Sequence, residues 1–467
     1  MLESFFYSVQ TFYILYFVGL YATYLLLNVM AISGVSKYMG IAFLDELPKV
    51  NSELEVPVSL LVPAFNEELT ITDSVRSMLQ LDYSKFEILV INDGSSDQTL
   101  QKMKDEFDLV EFPEAYRNRL ETEHVNQIYI SRLYRNVKVI DKVNGGKADA
   151  LNAGINCARF PLFCAVDADS VLNVDSLDRI VKPFFNDHRT IASGGTVRIA
   201  NGCEIDKGYV TKIALPSGFL PTIQLVEYLR AFLFGRLGWV PLNALMVISG
   251  AFGVFKKEVV IDVGGYRRNT IGEDMELIVR MHRYMREKGE PYRISFIPDP
   301  VCWTEAPEDL KSLGSQRVRW QRGLCESLSM NLSLLFHPKG GAVGWIAFPY
   351  MVIFEWFGPF IEFFGLLILI LGFSLDLLSF NSMLLVMSVA IGFGVLLSAV
   401  AVLLEEMSFH VYKKPWYPLV LMGAAIMENF GYRQLNSYWR IKGSLLWLFG
   451  AKQTWGSIER KADWQVK

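Results

Sequence analysis

Residues 11–32, TFYILYFVGLYATYLLLNVMAI, contain no charged side chain. A helix of about 20 apolar residues crosses the hydrocarbon core of a bilayer, because only a helix or a closed barrel satisfies its own backbone polar groups there. The run therefore predicts a transmembrane helix within residues 1–34. A cleaved signal peptide fits less well, since no basic residue precedes the run and the run is too long. Lys37 and Lys49 follow it, and Glu3 is the charge before it. That asymmetry, reduced by Asp45 and Glu46, puts the C-terminal side in the cytoplasm. Apolar runs at 345–372 and 382–404 predict further membrane helices. The run 416–431 is shorter and precedes Arg433, Arg440 and Lys442, so it either spans or lies flat. Residues 326–450 thus read as transmembrane and interfacial helices. Residues 451–467, with Lys452, Arg460 and Lys461, read as a cytoplasmic tail. Two C-terminal crossings with an interfacial 416–445 satisfy that layout, as do four with a break near Pro359; two is the expectation.

The hydrophobic content of 51% is concentrated in these segments. Residues 55–325 read differently. Short apolar runs at 58–63, 86–92, 137–140 and 162–166 end in polar turns and alternate with helical stretches at 67–80, 97–107 and 147–158. Such alternation predicts an α/β domain with a mostly parallel sheet flanked by helices. Ligands of such sheets bind beyond the carboxyl ends of the strands. Here those ends carry Asn66-Glu67-Glu68, Asp93-Gly94 and Asp167-Ala168-Asp169. The charged stretch 108–136 predicts a surface helix. The aromatic stretch 219–248, interrupted by Glu227, Arg230 and Arg236, predicts a helix lying in the membrane interface, with a core hairpin or helix as the alternative. A net charge of -4 argues against nucleic acid as a partner. Five scattered cysteines without a CxxC pair disfavour a zinc site or a disulfide framework.

Each polar strand end suits a chemistry. Asp167 and Asp169, two residues apart beyond a strand, suit Mg²⁺ or Mn²⁺, which take a few carboxylates plus diphosphate oxygens. Asp93 can accept a uracil N–H or sit near the metal, while Ser96 or Asp97 caps the next helix. Gly145-Gly146-Lys147 opens a helix with backbone N–H groups and an ammonium, which suits a phosphate; a plain tight turn is the other reading. Gly272-Glu273-Asp274 precedes a helix. Asp274, with Glu273 second, is the candidate base for an acceptor hydroxyl, against a simple N-terminal cap. Gln316, Arg319 and Trp320 share one face of a predicted helix. Arg319 suits a diphosphate and Trp320 a sugar ring; an interfacial membrane anchor is the alternative. Glu355 and Glu362, seven apart, fall on one face of an apolar run, as carboxylates facing an aqueous path would, with a place at the membrane interface as the alternative for Glu355.

Taken in order, VPAFNEE, NDGSSD, GGKADALNAG, DADS, SGAFG, GED and QRVRW resemble the membrane-integrated family 2 glycosyltransferases, which include cellulose, hyaluronan, chitin and poly-N-acetylglucosamine synthases. The resemblance covers roughly residues 55–325 and the membrane layout. It implies a GT-A fold, a nucleotide-sugar donor (UDP-GlcNAc or UDP-Glc), a divalent metal, inversion at the anomeric carbon, and secretion of the growing glycan. By position it implies donor contacts at Pro63, Asn66, Glu67, Asp93, Lys147 and Asp167, a metal ligand at Asp169, and the base at Asp274. It also implies an acceptor-side loop at Ser249-Gly250 and the acceptor and diphosphate motif at Gln316, Arg319 and Trp320. The tail segment with Trp455, Gly456 and Arg460 is similar to a gating segment of hyaluronan synthases. One visible N-terminal span departs from synthases that have more, and it leaves room for a small membrane partner subunit. Transfer of a single sugar to a lipid acceptor is the alternative activity.

Overall fold

The computed structural model describes residues 2–44, 55–206 and 208–451. Its centre is a ten-stranded sheet of order β3-β4-β5-β2-β1-β6-β11-β8-β12-β7. The strands are β1 (Val58–Ala64), β2 (Phe86–Asp93), β3 (Leu109–Glu111), β4 (Val125–Ser131), β5 (Val137–Lys142), β6 (Leu162–Val166), β7 (Val171–Leu172), β8 (Thr190–Ile199), β11 (Phe252–Lys256) and β12 (Arg293–Thr304). A separate hairpin joins β9 (Glu204–Asp206) and β10 (Tyr209–Lys212). The four strands β5, β2, β1 and β6 run parallel. They are near-continuous apolar runs because helices cover both faces. Helices α2 (Ile71–Leu79), α3 (Thr99–Phe107), α4 (Lys147–Cys157), α5 (Ser176–Asn186), α7 (Lys257–Asp262) and α8 (Glu273–Lys288) belong to this layer. The register places Ala64 beside Asn92, and Leu61 beside Ala165. The segments after β1, β2 and β6 therefore meet at one sheet edge. The sheet is mixed overall, since β11 runs antiparallel to both β6 and β8.

Residues 108–136 are not a surface helix. They form β3, a loop and β4, with β4 antiparallel to β5. The strand signal is the apolar alternation within VNQIYIS, which the charge-rich residues before it obscure. That loop is tied down by Glu114, whose Oε2 lies 2.6 Å from Lys138 Nζ on β5.

A second layer is helical. Helix α1 (Leu2–Leu44) contains a stretch, Ser8–Gly40, long and apolar enough to cross a membrane, and so is α12 (Phe380–Ser408). Between them runs a bent pair. Its first arm is a turn of helix α10 (Phe348–Tyr350) flanked by π-helical turns Val343–Ala347 and Met351–Trp356. Its second arm is α11 (Gly358–Ser374), bent by 44° from the first. Pro359 at the start of α11 accounts for the break, because proline removes a helical N–H and its ring clashes with the preceding turn. If the pair counts as one span, three crossings are available among the described residues. Helix α13 (Tyr417–Met427) is too short to add one. It leads to α14 (Tyr432–Leu448).

The stretch at 219–248 is a joint between the layers rather than one long helix. Helix α6 (Phe219–Leu229) passes into a π-turn at Arg230–Phe234 and a short 3₁₀ turn at Leu237–Trp239. Gly238 sits where a Cβ would fall 2.7 Å from the Leu27 carbonyl oxygen, so α1 packs directly on this turn. Two polar ties reinforce the joint. Arg198 of β8 pairs with Glu405 of α12, both buried. Tyr38 of α1 donates to Asp299 of β12. The last described long helix of the sheet layer is α9 (Leu310–Met330), which leads into the membrane-type helices.

Candidate active site

The donor-side residues come first in the chain. Asp93 ends β2 and is 3% exposed. Its carboxylate accepts from the Gly145 N–H at 3.0 Å, the Gly146 N–H at 2.7 Å and Lys142 Nζ at 2.6 Å. Gly146 has φ +89°, a conformation L side chains rarely adopt, so glycine is what lets both N–H groups converge. Lys142 also lies 2.7 Å from Asp149 Oδ1, which makes it a buried ammonium between two carboxylates. Sequence reading missed Lys142. Its position opposite Asp93 is a matter of strand register, with β2 and β5 paired Asp93 to Lys142. Asn66 adopts φ +56°, donates its N–H to Ser95 Oγ at 3.0 Å, and accepts from the Ser96 N–H at 2.8 Å. The Glu67 N–H donates to Thr99 Oγ1 at 2.9 Å. The Thr99 N–H in turn donates to Asp97 at 2.9 Å, although Gln98 rather than Asp97 or Ser96 occupies the N-cap of α3. Asn66 and Glu67 thus lock the loops after β1 and β2 together, while Pro63 sits within β1 beside Ile91.

Asp167 and Asp169 follow β6 and face a cavity of about 680 Å³. Lys147 Nζ lies 2.5 Å from Asp167 Oδ1 and 3.4 Å from Glu273 Oε1. Burial opposes its charge, but Asp167 and Glu273 hold the ammonium above its usual range. Burial pushes the Glu273 carboxyl up, Lys147 works against that, and the Asp274 charge adds to it. Among the described residues no cluster of three or more His, Cys, Asp or Glu side chains is poised to hold a metal. Mg²⁺ and Mn²⁺ need less protein than that, because ligand phosphates and water complete their shell. The all-oxygen pair Asp167 and Asp169, open to the cavity, suits them.

Asp274 lies in the first turn of α8. Its Oδ2 accepts from the Gly250 N–H at 3.1 Å and its Oδ1 from the Met275 N–H at 2.7 Å. A Cβ on Gly250 would fall 3.0 Å from Lys147 Nζ, so the bare backbone of Ser249-Gly250 fits between the lysine and Asp274. Gly272 and Gly323 bring α8 and α9 together: a Cβ on either would lie 2.8 Å from the other's Cα. Glu326 of α9 fixes the same turn, accepting from the Ile271 N–H at 2.8 Å and from Thr270 Oγ1 at 2.9 Å.

Helix α9 is N-capped by Asp309, which accepts from the Ser312 N–H at 2.9 Å. It presents Gln316, Arg319 and Trp320 to the same cavity as Asp274. The Gln316 Oε1 is buried without a partner there, and Trp320 is 44% exposed. Arg317, left out of the site by sequence reading, is buried against Glu227 and Tyr432. Helix α14 holds α9 from the other side. Gly314 makes room for Trp439, and Gln321 Oε1 accepts from Arg440 Nε at 2.8 Å.

The cavity runs on past Trp320 between the membrane-type helices. Glu355 and Glu362 line it, one from each arm of the bent pair. Each is matched by an arginine of α14: Glu355 with Arg440 and Glu362 with Arg433, both at 2.9 Å. These partners were not legible locally, because they lie 71 and 85 residues away. Pro63, Asn66, Glu67 and Asp93 do not line this cavity. Trp455, Gly456 and Arg460 lie outside the described residues.

Residues 59–262 match the family model "Glycosyl transferase family 2", and residues 162–397 match "Glycosyl transferase family group 2". A poly-beta-1,6-N-acetyl-D-glucosamine synthase of Staphylococcus aureus is 31% identical over 283 residues, covering 60% of this chain and 57% of the relative. The synthase of the same name from Staphylococcus epidermidis is 29% identical over 308 residues, covering 63% of each. The chain therefore spans less than two thirds of the length of these curated relatives. A mannosyltransferase from Pyrobaculum calidifontis, solved with GDP-Man and Mn²⁺, superposes with a TM-score of 0.50 at 16% identity over 93% of this chain and 100% of that one. That likeness supports the GT-A-like fold of the mixed sheet. With half of its length matched, from β6, which Asp167 follows, to the membrane-type helices, the chain belongs to glycosyl transferase family group 2.

Proposed function

We infer that the protein is an inverting glycosyltransferase of the membrane, extending a β-linked exopolysaccharide from a nucleotide-sugar donor. The observation that carries this is the single cavity joining Asp167, Asp169 and Asp274 to Trp320 and on to Glu355 and Glu362. On this reading a polar product made at the sheet edge meets the Glu355–Arg440 and Glu362–Arg433 pairs between the apolar helices. The name of the relatives supports UDP-GlcNAc over UDP-Glc as donor. On this reading residues 55–325 form a cytoplasmic catalytic domain, and the helical layer anchors it in the cell membrane as a multi-pass protein.

Roles follow from placement. Asp274 takes the proton from the acceptor hydroxyl as that oxygen bonds to the anomeric carbon and the nucleoside diphosphate leaves from the opposite face. Its two backbone hydrogen bonds aim the carboxylate. Ser249 and Gly250 line the acceptor side. Lys147 and Arg319 bring positive charge to the diphosphate; Lys147 trades Asp167 for the donor as it does so. Mg²⁺ or Mn²⁺, held by Asp169 with Asp167, would supply charge neutralisation for the leaving diphosphate. Pro63, Asn66, Glu67 and Asp93 shape the floor of the nucleotide site through the loops they lock. Trp320 is the platform for the terminal acceptor sugar, and Gln316 offers its unpartnered carbonyl to that sugar's hydroxyls.

Purified protein supplied with UDP-GlcNAc, UDP-Glc and GDP-sugars, each with Mg²⁺ or Mn²⁺, tests this by product sizing. The expected product is a long polymer from UDP-GlcNAc. A single glycosylated lipid would replace polymer synthesis with one-step transfer to a lipid acceptor.

A further inference from the structure

The QRVRW segment contains a second arginine, Arg317, which lines the same cavity as Arg319 but is tied to Glu227 and Tyr432. Its side chain is 5% exposed. Nη2 lies 2.7 Å from Glu227 Oε2 on α6 and 3.4 Å from the Tyr432 hydroxyl on α14. The Tyr432 hydroxyl donates to the same Glu227 Oε2 at 2.8 Å, which closes a partly buried triad across three helices. The guanidinium carbon of Arg317 sits 4.4 Å from the centroid of the Trp320 ring, one turn along its own helix. Trp320 nevertheless keeps 44% of its surface exposed and lines the cavity.

An indole that keeps so much surface at a wet cavity is free to turn about its two side-chain torsions unless something fixes it. A planar cation stacked on an indole face supplies an orienting attraction. Here the cation is itself immobilised by a carboxylate and a phenol from two other helices. We propose that Arg317 is a positioning residue that sets the Trp320 ring for the terminal sugar of the glycan acceptor, with Glu227 and Tyr432 setting Arg317. Helices α6 and α14, which wall the route beyond the site, thereby set the acceptor platform. This rests on the reading of Trp320 as that platform.

Lysine keeps the charge for Glu227 but loses the planar fork that stacks. Arg317→Lys and Glu227→Gln are therefore compared with wild type and with Trp320→Ala. The donor is UDP-GlcNAc and the acceptor a short β-linked N-acetylglucosamine oligosaccharide. Thermal melting in detergent confirms that each variant is folded. Arg317→Lys is expected to raise the acceptor KM about ten-fold, the loss of one orienting cation–π contact. The donor KM and the binding of UDP measured by calorimetry stay within about two-fold, which separates positioning from a general loss of structure. Glu227→Gln, which keeps hydrogen bonding but not charge, shifts the acceptor KM in the same direction by less. An unchanged acceptor KM in Arg317→Lys, or equal rises in donor and acceptor KM, overturns the proposal while Trp320→Ala still impairs acceptor use. If Trp320→Ala itself leaves the acceptor KM unchanged, the platform reading falls and the proposal falls with it.

Discussion

Lys142 shows how a residue with no motif of its own can decide the shape of a site. It is fully buried, between Asp93 at 2.6 Å and Asp149 at 2.7 Å. Without it Asp149 would keep Arg268 at 3.0 Å, but Asp93 would lose its buried cation and no longer be held where it collects the N–H groups of Gly145 and Gly146. Removing one partner of a buried ion pair costs about 3–5 kcal/mol, because the other charge stays buried. Lys142→Met should lower the stability by about that much, and the folded fraction should bind UDP at least about ten-fold more weakly. Calorimetric titration with UDP at low temperature checks this; unchanged affinity would leave Asp93 and its turn with no part in donor binding. The residues that sequence reading singled out, Asp93, Asp167, Asp169 and Asp274, sit in local strings at strand ends or helix starts. Lys142 at the end of β5, Arg317 within QRVRW and Arg433 at the start of α14 have no acidic string around them to mark them. Their significance comes from partners that register and helix packing bring together, and no window of neighbouring residues contains that information.

At the scale of elements, α8 is the clearest case. Its N-terminus carries Asp274, and its middle is fastened by a histidine. His282 Nε2 lies 2.8 Å from the Leu245 carbonyl oxygen, and Nδ1 lies 2.7 Å from the Tyr292 hydroxyl. The carbonyl can only accept, so Nε2 carries the proton and Nδ1 accepts from tyrosine. Burial lowers the pKa to about 4, with the Leu245 carbonyl opposing and Arg286 assisting. The folded value lies below the usual 6.5. The contribution of His282 is therefore present above pH 6.5 and lost as the pH falls toward about 4. A shift of this size corresponds to about 3 kcal/mol. Melting curves from pH 7 to pH 4 should fall less steeply for His282→Gln than for wild type; parallel slopes would show that His282 does not carry this acid sensitivity. Elements were legible where one pattern ruled. The strands β1, β2 and β6 were plain apolar runs, and α8 began at Glu273 beside the Gly272 turn. The 108–136 segment misled because a charged loop and an alternating strand were averaged into one surface helix.

At the scale of the molecule, the sheet, the joint at 219–239 and the helical layer share one cavity. The layered plan was visible in the hydropathy of the chain, since residues 11–32 and 382–404 had nowhere polar to go. The path was only half visible. Glu355 and Glu362 marked it, but the pairing of Glu355 with Arg440 and of Glu362 with Arg433 depends on α11 and α14 packing antiparallel across a break at Pro359. These pairs let charges line a route between apolar helices at modest cost, because each carboxylate meets a guanidinium. The proposed function puts glycan synthesis at the inner end of this cavity, and that requires a base beside the acceptor. The decisive measurement is sugar transfer by Asp274→Asn alongside calorimetric binding of UDP-GlcNAc. The asparagine keeps the shape and can still accept from Gly250, but it cannot take a proton. Turnover should fall by at least about a hundred-fold, the lower range of what general-base catalysis contributes, while donor binding stays near that of wild type. Near-normal transfer by Asp274→Asn would contradict the account.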